Sequence, residues 1–186
     1  MSVGLAFIAP PTYLPEILPH RSGLPAGTTL FVSILAAMRL TSRTDYALRA
    51  ALELAAARGT PLTTSEIGGA QAIPASYLGA VLAELRRGGI VKARRGPEGG
   101  WTLAHEATAI SLADVIRAVD GTLANVAGTR PEKLKYKGAA EGLRSALVAV
   151  RAAEREVLES ISLAGAISGK FSAKVRLLLK NPSAWR

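Results

Sequence analysis

The side chains best suited to chemistry in this sequence are two adjacent arginines at a glycine-rich turn. Arg94 and Arg95 are followed by Gly-Pro-Glu-Gly-Gly, where glycine reaches positive φ at low cost and proline presets a turn position. Short apolar runs at residues 90–93 and 101–103 predict the two strands of a hairpin. Guanidinium groups on such a tip can contact phosphates or enter a narrow minor groove. The candidate DNA contacts on this hairpin are Arg94, Arg95, Gly96, Gly99 and Gly100.

The charge of the chain supports a polyanionic partner. The 186 residues carry a formal net charge of +9 with a pI near 10.4, which favours nucleic acid or an acidic membrane surface. Five cationic side chains and no acidic one lie between Arg86 and Arg95. A solvated basic face is the plain alternative. The position of the cations around a turn favours nucleic acid, and Arg86 is included among the candidate contacts.

Residue types that would support an enzyme or a metal site are missing or isolated. The sequence has no cysteine, which excludes disulfides, thiol catalysis and thiolate-bound metals or iron–sulfur centres. Its two histidines, His20 and His105, lack the spaced partners of a zinc site or a catalytic triad. No phosphate loop or nucleophile–base pair is evident. We therefore predict no catalytic residue, no metal site and no cofactor.

Two helices and a capping box precede the hairpin. Residues 45–58 form a broad apolar arc that follows the cap candidates Thr41, Ser42 and Thr44. Thr63 and Glu66 have the spacing of a capping box, which predicts a short second helix to about residue 71.

A third helix is predicted over residues 74–87. Pro74 suits its first position, and the double glycine at 88–89 ends it. Ser76 and Tyr77 lie at its start and could meet bases or phosphates. Ser76 could instead cap the helix. Tyr77 could instead pack under it, and for Tyr77 the packing role and the contact role have equal weight. One predicted buried stripe contains Tyr77, Leu78, Val81, Leu82 and Leu85.

Helix, short helix, turn, longer helix and hairpin is the order of a winged helix-turn-helix, and several short motifs make the resemblance more specific. Together they resemble the Rrf2 family of bacterial winged-helix transcription regulators over roughly residues 38–165. The motifs are Met38-Arg39-Leu40-Thr41-Ser42, Asp45-Tyr46-Ala47, Tyr77-Leu78, Leu85-Arg86 with Gly89-Ile90-Val91, and Arg95-Gly96-Pro97 with Gly99-Gly100.

The resemblance implies a mainly α fold, with a winged helix-turn-helix domain at residues 38–121 and a long C-terminal dimerisation helix. Thr41, Ser42 and Arg43 would then meet phosphate near the first helix. Two positions after Tyr77-Leu78 often carry Glu and Gln as base readers in the family, but here they are Gly79 and Ala80. Specificity is then relaxed, or rests on thymine methyl contacts and DNA shape.

The segment at residues 122–139 is predicted to be a loop. Family members that hold an iron–sulfur cluster place three cysteines there, and this chain has none. The departure predicts a regulator that does not depend on an iron–sulfur cluster.

The long helix is predicted at residues 140–165. Its apolar side contains Leu143, Leu147, Val150, Val157 and Ile161, and its water-facing side contains Arg144, Arg151, Arg155, Glu156 and Glu159. The stripe either covers its own domain or, as the resemblance implies, crosses its copy in a homodimer. The resemblance also implies that the chain returns to the DNA-binding half at residues 161–164.

Both ends of the chain differ from the middle. Residues 1–37 hold five of the ten prolines, and we expect either a disordered extension or sequence upstream of a natural start at Met38. Residues 166–186 form a basic tail, for which a DNA-backbone contact, a membrane-surface helix and a disordered end remain open.

These observations predict a cytoplasmic, sequence-specific DNA-binding regulator, a homodimeric repressor that binds an inverted-repeat operator in double-stranded DNA. A small-molecule or protein effector is left open, and a membrane is not expected as a partner. The alternative is a winged-helix protein-interaction module with weak or non-specific DNA binding.

Overall fold

The computed structural model describes residues 40–96 and 99–181, so the predictions for residues 1–37, for Pro97 and for the last five residues of the chain lie outside it. The described part is mainly helical with one two-stranded antiparallel hairpin. In chain order the elements are α1 (Ser42–Ala56), α2 (Thr64–Gln71), α3 (Ala75–Arg87), β1 (Val91–Arg94), β2 (Gly100–Leu103), α4 (Leu112–Asp120), α5 (Leu143–Glu159), α6 (Leu163–Ser168) and α7 (Ala173–Leu179).

The first two helices begin where side-chain caps satisfy their free N–H groups. The Thr41 hydroxyl accepts from the Thr44 N–H at 3.1 Å, so α1 starts three residues earlier than predicted. The predicted capping box of α2 is confirmed, because Thr63 and Glu66 each accept from the other's backbone N–H. Two hydrogen bonds lower the pKa of the Glu66 carboxyl. The one from the Thr63 N–H has the larger effect, and the one from the Thr63 hydroxyl has the smaller effect.

The turn between α2 and α3 is tight. Ala72 takes a left-handed conformation, and the Ile73 N–H donates back to the Gly68 carbonyl at 3.0 Å. Pro74 was predicted to be the first helical residue but is the N-cap, and α3 begins at Ala75. The prediction was wrong by one residue because Pro74 has an extended ψ of 129°.

The main core lies between α1, α3 and α4. Small side chains of α1 allow close approach of the other helices, and Leu78, Leu82 and Leu85 fill the space from α3 with no exposed surface. Val115 of α4 and Leu163 of α6 complete this core. The predicted stripe of α3 is therefore confirmed for its aliphatic members.

The hairpin pairs Val91 with Leu103 and Arg94 with Gly100 in antiparallel register. A third segment joins it, because Leu62 and Trp101 exchange both backbone hydrogen bonds at 3.0 and 2.8 Å. The hairpin is thereby fixed to the segment that precedes α2, and it does not stand free as two strands.

Helix α4 is held at its start and its end. The Ser111 hydroxyl accepts from the Asp114 N–H at 3.2 Å, and the Asp114 carboxylate accepts from the Ser111 N–H at 3.0 Å, so α4 begins with a capping box. Partial burial acts to raise the pKa of Asp114, but hydrogen bonds from Ser111 and the charge of Arg117 lower it below its usual value. At the end of α3, a Cβ on Gly88 would lie 2.5 Å from the Ala118 Cβ, so α3 and α4 pack closely.

The chain beyond α5 returns to the half of the molecule that contains α1 and α4, as the resemblance implied. The Leu112 N–H donates to the Ile161 carbonyl, and the Leu163 N–H donates to the Ile110 carbonyl, each at 2.9 Å. Helix α6 then packs on α1. The residues predicted to form a basic tail include helix α7, joined to α5 by an ion pair between Lys174 and Glu156.

Helix α5 differs from its prediction in its bounds and in one side chain. It spans Leu143–Glu159 and not residues 140–165, so Ile161 lies beyond its end. Arg151 was assigned to the water-facing side but is only 6% exposed, because its guanidinium Nη1 donates to both carboxylate oxygens of Glu132 at 2.9 and 2.7 Å. The predicted apolar stripe is not covered by the described residues of the chain: Val150 is 42% exposed, and the other members are half-buried.

We expect Ser111→Ala to lower the free energy of unfolding by about 1 kcal/mol, because α4 loses its capping hydroxyl. Chemical denaturation measures the change. Ser65→Ala is the matched control, since Ser65 is exposed on α2. Equal stability of Ser111→Ala and the unsubstituted protein would contradict a role for the cap.

Candidate nucleic-acid interface

The start of α3 presents polar side chains to solvent. Ser76 is exposed and Tyr77 is 62% exposed, so the predicted packing role of Tyr77 in the buried stripe is wrong. The Tyr77 ring lies against Tyr46 of α1, with ring centroids 6.4 Å apart and planes tilted by 55°. This contact holds the ring at the surface, where its hydroxyl is available to a partner.

Sequence reasoning missed Arg49, which organises the same corner. Its guanidinium lies 5.1 Å from the centroid of the Tyr46 ring, pairs with Asp45 at 2.9 Å, and donates from Nη1 to the Gln71 carbonyl at 2.6 Å. The i,i+4 spacing from Asp45 to Arg49 was the available sequence signal. Arg49 therefore fastens α1 to the end of α2 and supports Tyr46, on which Tyr77 rests.

The next turn of α3 has almost no side chains on its outer face. Gly79 and Ala80 are both exposed, and a Cβ added at Gly79 would meet nothing within 4 Å. This face offers its backbone and a methyl group, without side-chain hydrogen bonding. It can approach a surface closely but cannot read a donor–acceptor pattern through side chains.

The start of α1 is tied to α4 by polar contacts. Arg43, which is half-exposed, pairs with Glu84 at 3.2 Å and with Asp120 at 3.4 Å, and it also donates to the Val119 carbonyl. Thr41 caps α1 and donates to Asp120 at 3.3 Å. Ser42 is exposed. Of these three predicted phosphate contacts, Arg43 is thus already bonded within the chain.

The cations of the hairpin remain open to solvent. Arg94 and Arg95 are exposed, and their side chains make no hydrogen bond or ion pair to any residue that the structure describes. Arg86, in the last turn of α3, is exposed as well, whereas its neighbour Arg87 lies 3.8 Å from Glu84. The arrangement leaves cationic donors unpaired at one edge of the fold.

The glycines of the turn have geometric roles. Gly96 has φ 115°, a conformation that side chains rarely adopt. The Gly99 N–H donates to the Gly96 carbonyl at 2.9 Å, and a Cβ on Gly99 would lie 2.5 Å from the Arg94 carbonyl oxygen. Glycine at both positions is therefore required for the turn that carries Arg94 and Arg95.

Trp101 anchors the hairpin close to its turn, because it pairs with Ala93, next to the last pair Arg94–Gly100. Its indole Nε1 donates to the Thr64 hydroxyl at 3.2 Å, beside the backbone pairing with Leu62. Gly100 makes this pairing possible, since its φ is 157° and a Cβ there would lie 2.7 Å from the Leu62 carbonyl oxygen. The arginines are thus carried by a hairpin that is fixed beside its turn.

We expect Gly100→Ala to destabilise the protein by about 1–3 kcal/mol, because the new methyl group collides with the Leu62 backbone. Thermal unfolding measures the loss, and amide hydrogen exchange should show faster exchange at Trp101. Gly69→Ala is the matched control: Gly69 lies in α2 with nothing within 4 Å of an added Cβ, so it should be neutral or slightly stabilising. Wild-type exchange at Trp101 in the Gly100 variant would contradict this account of the anchor.

Comparison with known proteins agrees with this architecture. The Rrf2 family, described as iron-dependent transcriptional regulators, matches residues 40–168. A Mycobacterium tuberculosis protein described as an HTH-type transcriptional regulator is 40% identical over 142 residues, 76% of this chain and 88% of its own length. An IscR of Escherichia coli is 40% identical over 84 residues, 45% of this chain and 52% of its own length.

Solved structures give the same result. CymR, the global cysteine regulator of B. subtilis, superposes with a TM-score of 0.61 at 30% identity, covering 72% of this chain and 98% of CymR. IscR of T. potens gives a TM-score of 0.58 at 28% identity, covering 73% of this chain and 90% of that protein.

Proposed function

The chain belongs to the Rrf2 family of transcriptional regulators, and from this premise we propose that it is a homodimeric repressor that binds an inverted-repeat operator in double-stranded DNA. Its homologues and its fold are those of DNA-binding transcriptional regulators and not of enzymes. Within the described residues no helix is both long enough and apolar enough to span a bilayer.

The observation that carries the proposal is the unpaired charge of the hairpin. The side chains of Arg94 and Arg95 are exposed without a described partner, on a hairpin that Trp101 fixes close to its turn. Guanidinium donors that are unpaired in the free protein lose no internal bond on binding phosphate or the floor of a minor groove. Gly96, where an added Cβ would meet nothing within 4 Å, would let the backbone of this wing come close to DNA, and Gly99 and Gly100 would shape the turn that presents it.

Recognition by α3 is the second part of the proposal. In a helix-turn-helix, the second helix enters the major groove by its N-terminal residues, which here are Ser76 and Tyr77. The bare face at Gly79 and Ala80 would allow close contact with thymine methyl groups. Base discrimination would then depend more on DNA shape and on the wing than on side-chain hydrogen bonds.

Phosphate contacts at the flanks would fix the position of the protein on the duplex. The start of α1 offers helix N–H groups near Thr41 and Ser42, which favour anions. Arg43 is half-exposed despite its bonds to α3 and α4, so it could contribute an outward donor. Arg86 adds an exposed cation at the end of α3.

The dimer is supported by α5. Its four apolar stripe residues, Leu143, Leu147, Val150 and Val157, stay half-buried or exposed in the described chain, and an isologous crossing of two copies would cover them. We propose residues 38–121 as the DNA-binding domain and α5, within residues 140–165, as the dimerisation helix. A two-fold dimer sets two recognition helices on one face of DNA and selects an inverted repeat. A dimer bound at a promoter would exclude RNA polymerase, and we therefore propose that the protein is a repressor.

The family description includes iron, but the residues of this chain do not fit an iron centre. The sequence has no cysteine, and the described residues contain no group of three or more His, Asp or Glu side chains that could hold a metal ion. The loop at residues 122–139 faces arginine side chains instead, among them Arg117 and Arg151. Positive groups oppose a cation, so we propose regulation without iron.

The exposed Gly79 and Ala80 of α3 offer no side-chain hydrogen bonds to bases. This observation favours a second function, a protein-interaction module with weak or non-specific DNA binding. Selection of bound fragments from genomic DNA, followed by footprinting, separates the two functions. The repressor should protect a two-fold symmetric site, with an affinity that falls steeply as salt rises. Binding that is insensitive to both salt and sequence would favour the interaction module and overturn the repressor.

We expect Arg95→Ala to weaken operator binding by roughly 1–3 kcal/mol if its guanidinium contacts DNA. Titration of a labelled operator at fixed salt measures the change. Arg144→Ala is the matched control, because Arg144 is exposed on α5 and pairs with no described residue. An unchanged affinity and footprint in Arg95→Ala would remove this residue from the interface.

We expect Val150→Asp to convert the dimer to monomer, because a charge would be buried at the centre of the α5 stripe. Sedimentation velocity measures the mass in solution. Ala152→Asp is the control: Ala152 is exposed on the same helix, about 200° around the axis from Val150. A dimer that survives Val150→Asp, or dissociates equally in both variants, would contradict the proposed interface.

A further inference from the structure

A cleft of about 520 Å³ lies between the end of α4, the segment that follows it, and α5. This volume is in the range of small-molecule sites. Four guanidinium groups and one carboxylate line it, with Leu123 as the buried apolar residue. The charged residues are Arg117, Arg130, Arg151, Arg155 and Glu159.

The most buried of these groups is Arg151, of which only 6% is exposed to solvent. Nη1 is occupied by Glu132, but the buried Nε has no hydrogen-bond partner among the described residues. Buried charged groups normally have their donors satisfied, since an unmet donor in a low-dielectric site is costly. Arg151 thus brings donors to the cleft that the protein itself does not use.

The other guanidinium groups of the cleft also donate only some or none of their N–H groups to described residues. Glu159 is shared, because it accepts from Arg155 Nε and Nη2 at 3.2 Å each and also from Arg117. The hydrogen bond from Arg117 lowers the pKa of Glu159, so this carboxylate is ionised at neutral pH. The Arg130 guanidinium makes no hydrogen bond to any described residue, although its charge is among the groups that lower the pKa of Glu132.

The acids that pair with the four arginines are Asp114, Glu132 and Glu159. Glu154 also interacts with the charge of Arg151, but burial raises the pKa of Glu154. Each guanidinium offers five N–H donors in a planar fork that matches carboxylate and phosphate groups. Three carboxylates leave most of these donors unused. The chemistry of the cleft therefore suits an anion with several oxygen acceptors.

We propose that this cleft binds a small organic polyanion, carrying carboxylate or phosphate groups, as the effector of the regulator. The effector role rests on the proposed DNA-binding function, but the binding site does not. Arg130 and Arg155 would hold the anion from the open side and Arg151 from below. The anion would compete with Glu159 for Arg155 and Arg117, and so act on the contact between α4 and α5.

Calorimetric titration of the full chain without DNA tests the site, with citrate as the carboxylate probe and inorganic pyrophosphate as the phosphate probe. We expect saturable binding of at least one probe, and the better probe identifies the acceptor chemistry. Arg130→Gln should weaken that binding by about tenfold, the value of one charge-assisted hydrogen bond. Arg130 is exposed, so this variant should keep its fold.

Arg144→Gln removes the same charge from an exposed position on α5 outside the cleft, and should bind the probe as the unsubstituted protein does. Absence of saturable binding of both probes overturns the site. Equal binding by Arg130→Gln and the unsubstituted protein, or equal loss in Arg144→Gln, overturns it too, because non-specific charge would then explain the result.

The effector role has a separate readout. With the fragment obtained by genomic selection, the bound probe should change DNA affinity, and Arg130→Gln should reduce that change without altering the affinity of the free protein. A probe that binds without changing DNA affinity overturns the effector role and leaves the repressor intact. If no fragment is bound specifically, the repressor fails while the titration still decides the anion site.

Discussion

Burial of α4 on two sides is the constraint on which the arrangement of the molecule depends. Val115 enters the core formed with α1 and α3, while Ala113 and Ile116 enter a second cluster with Leu123 and the partly buried Leu158 of α5. One short helix is therefore shared by two cores. Because packed interiors tolerate little displacement, α5 cannot be reoriented without moving α4 against the DNA-binding unit.

In the wing, the charged side chains and the residues that support them are different. The guanidinium groups of Arg94 and Arg95 have no hydrogen bond or ion pair to any described residue, whereas the residues that hold the hairpin in place carry no charge. Trp101 and Leu62 provide the backbone pairing, and Gly100 permits it by leaving space for the Leu62 carbonyl. A hairpin that is fixed beside its turn, with unpaired cationic side chains, binds phosphate without first breaking its own structure, which limits the cost of association.

Local signals in the sequence predicted the first three helices and the cap of α2 well, because the Thr63–Glu66 box acts within four residues. The contacts of Arg151, Arg43 and Tyr77 depend on residues 19 to 77 positions away in the chain, and no local pattern encodes them. The same holds for the Leu62 pairing with Trp101, where a single bridge has no strand periodicity. The arginine cleft escaped sequence inspection for this reason: its members come from α4, a loop and α5.

The same geometry determines how a ligand in the cleft could reach the DNA-binding surface. The Arg117–Glu159 pair is partly exposed on both sides, and such pairs contribute little, so its loss alone is a weak signal. Arg151 is buried, and an anion that engages it changes the environment of Glu132 and of the whole segment that packs Leu123 against α4. Asp120 at the end of α4 accepts from Thr44 and Arg43 of α1. A ligand can bias DNA binding only if it prefers one of two positions of α4, and the residues that distinguish such positions are Leu123 on one side and Asp120 on the other.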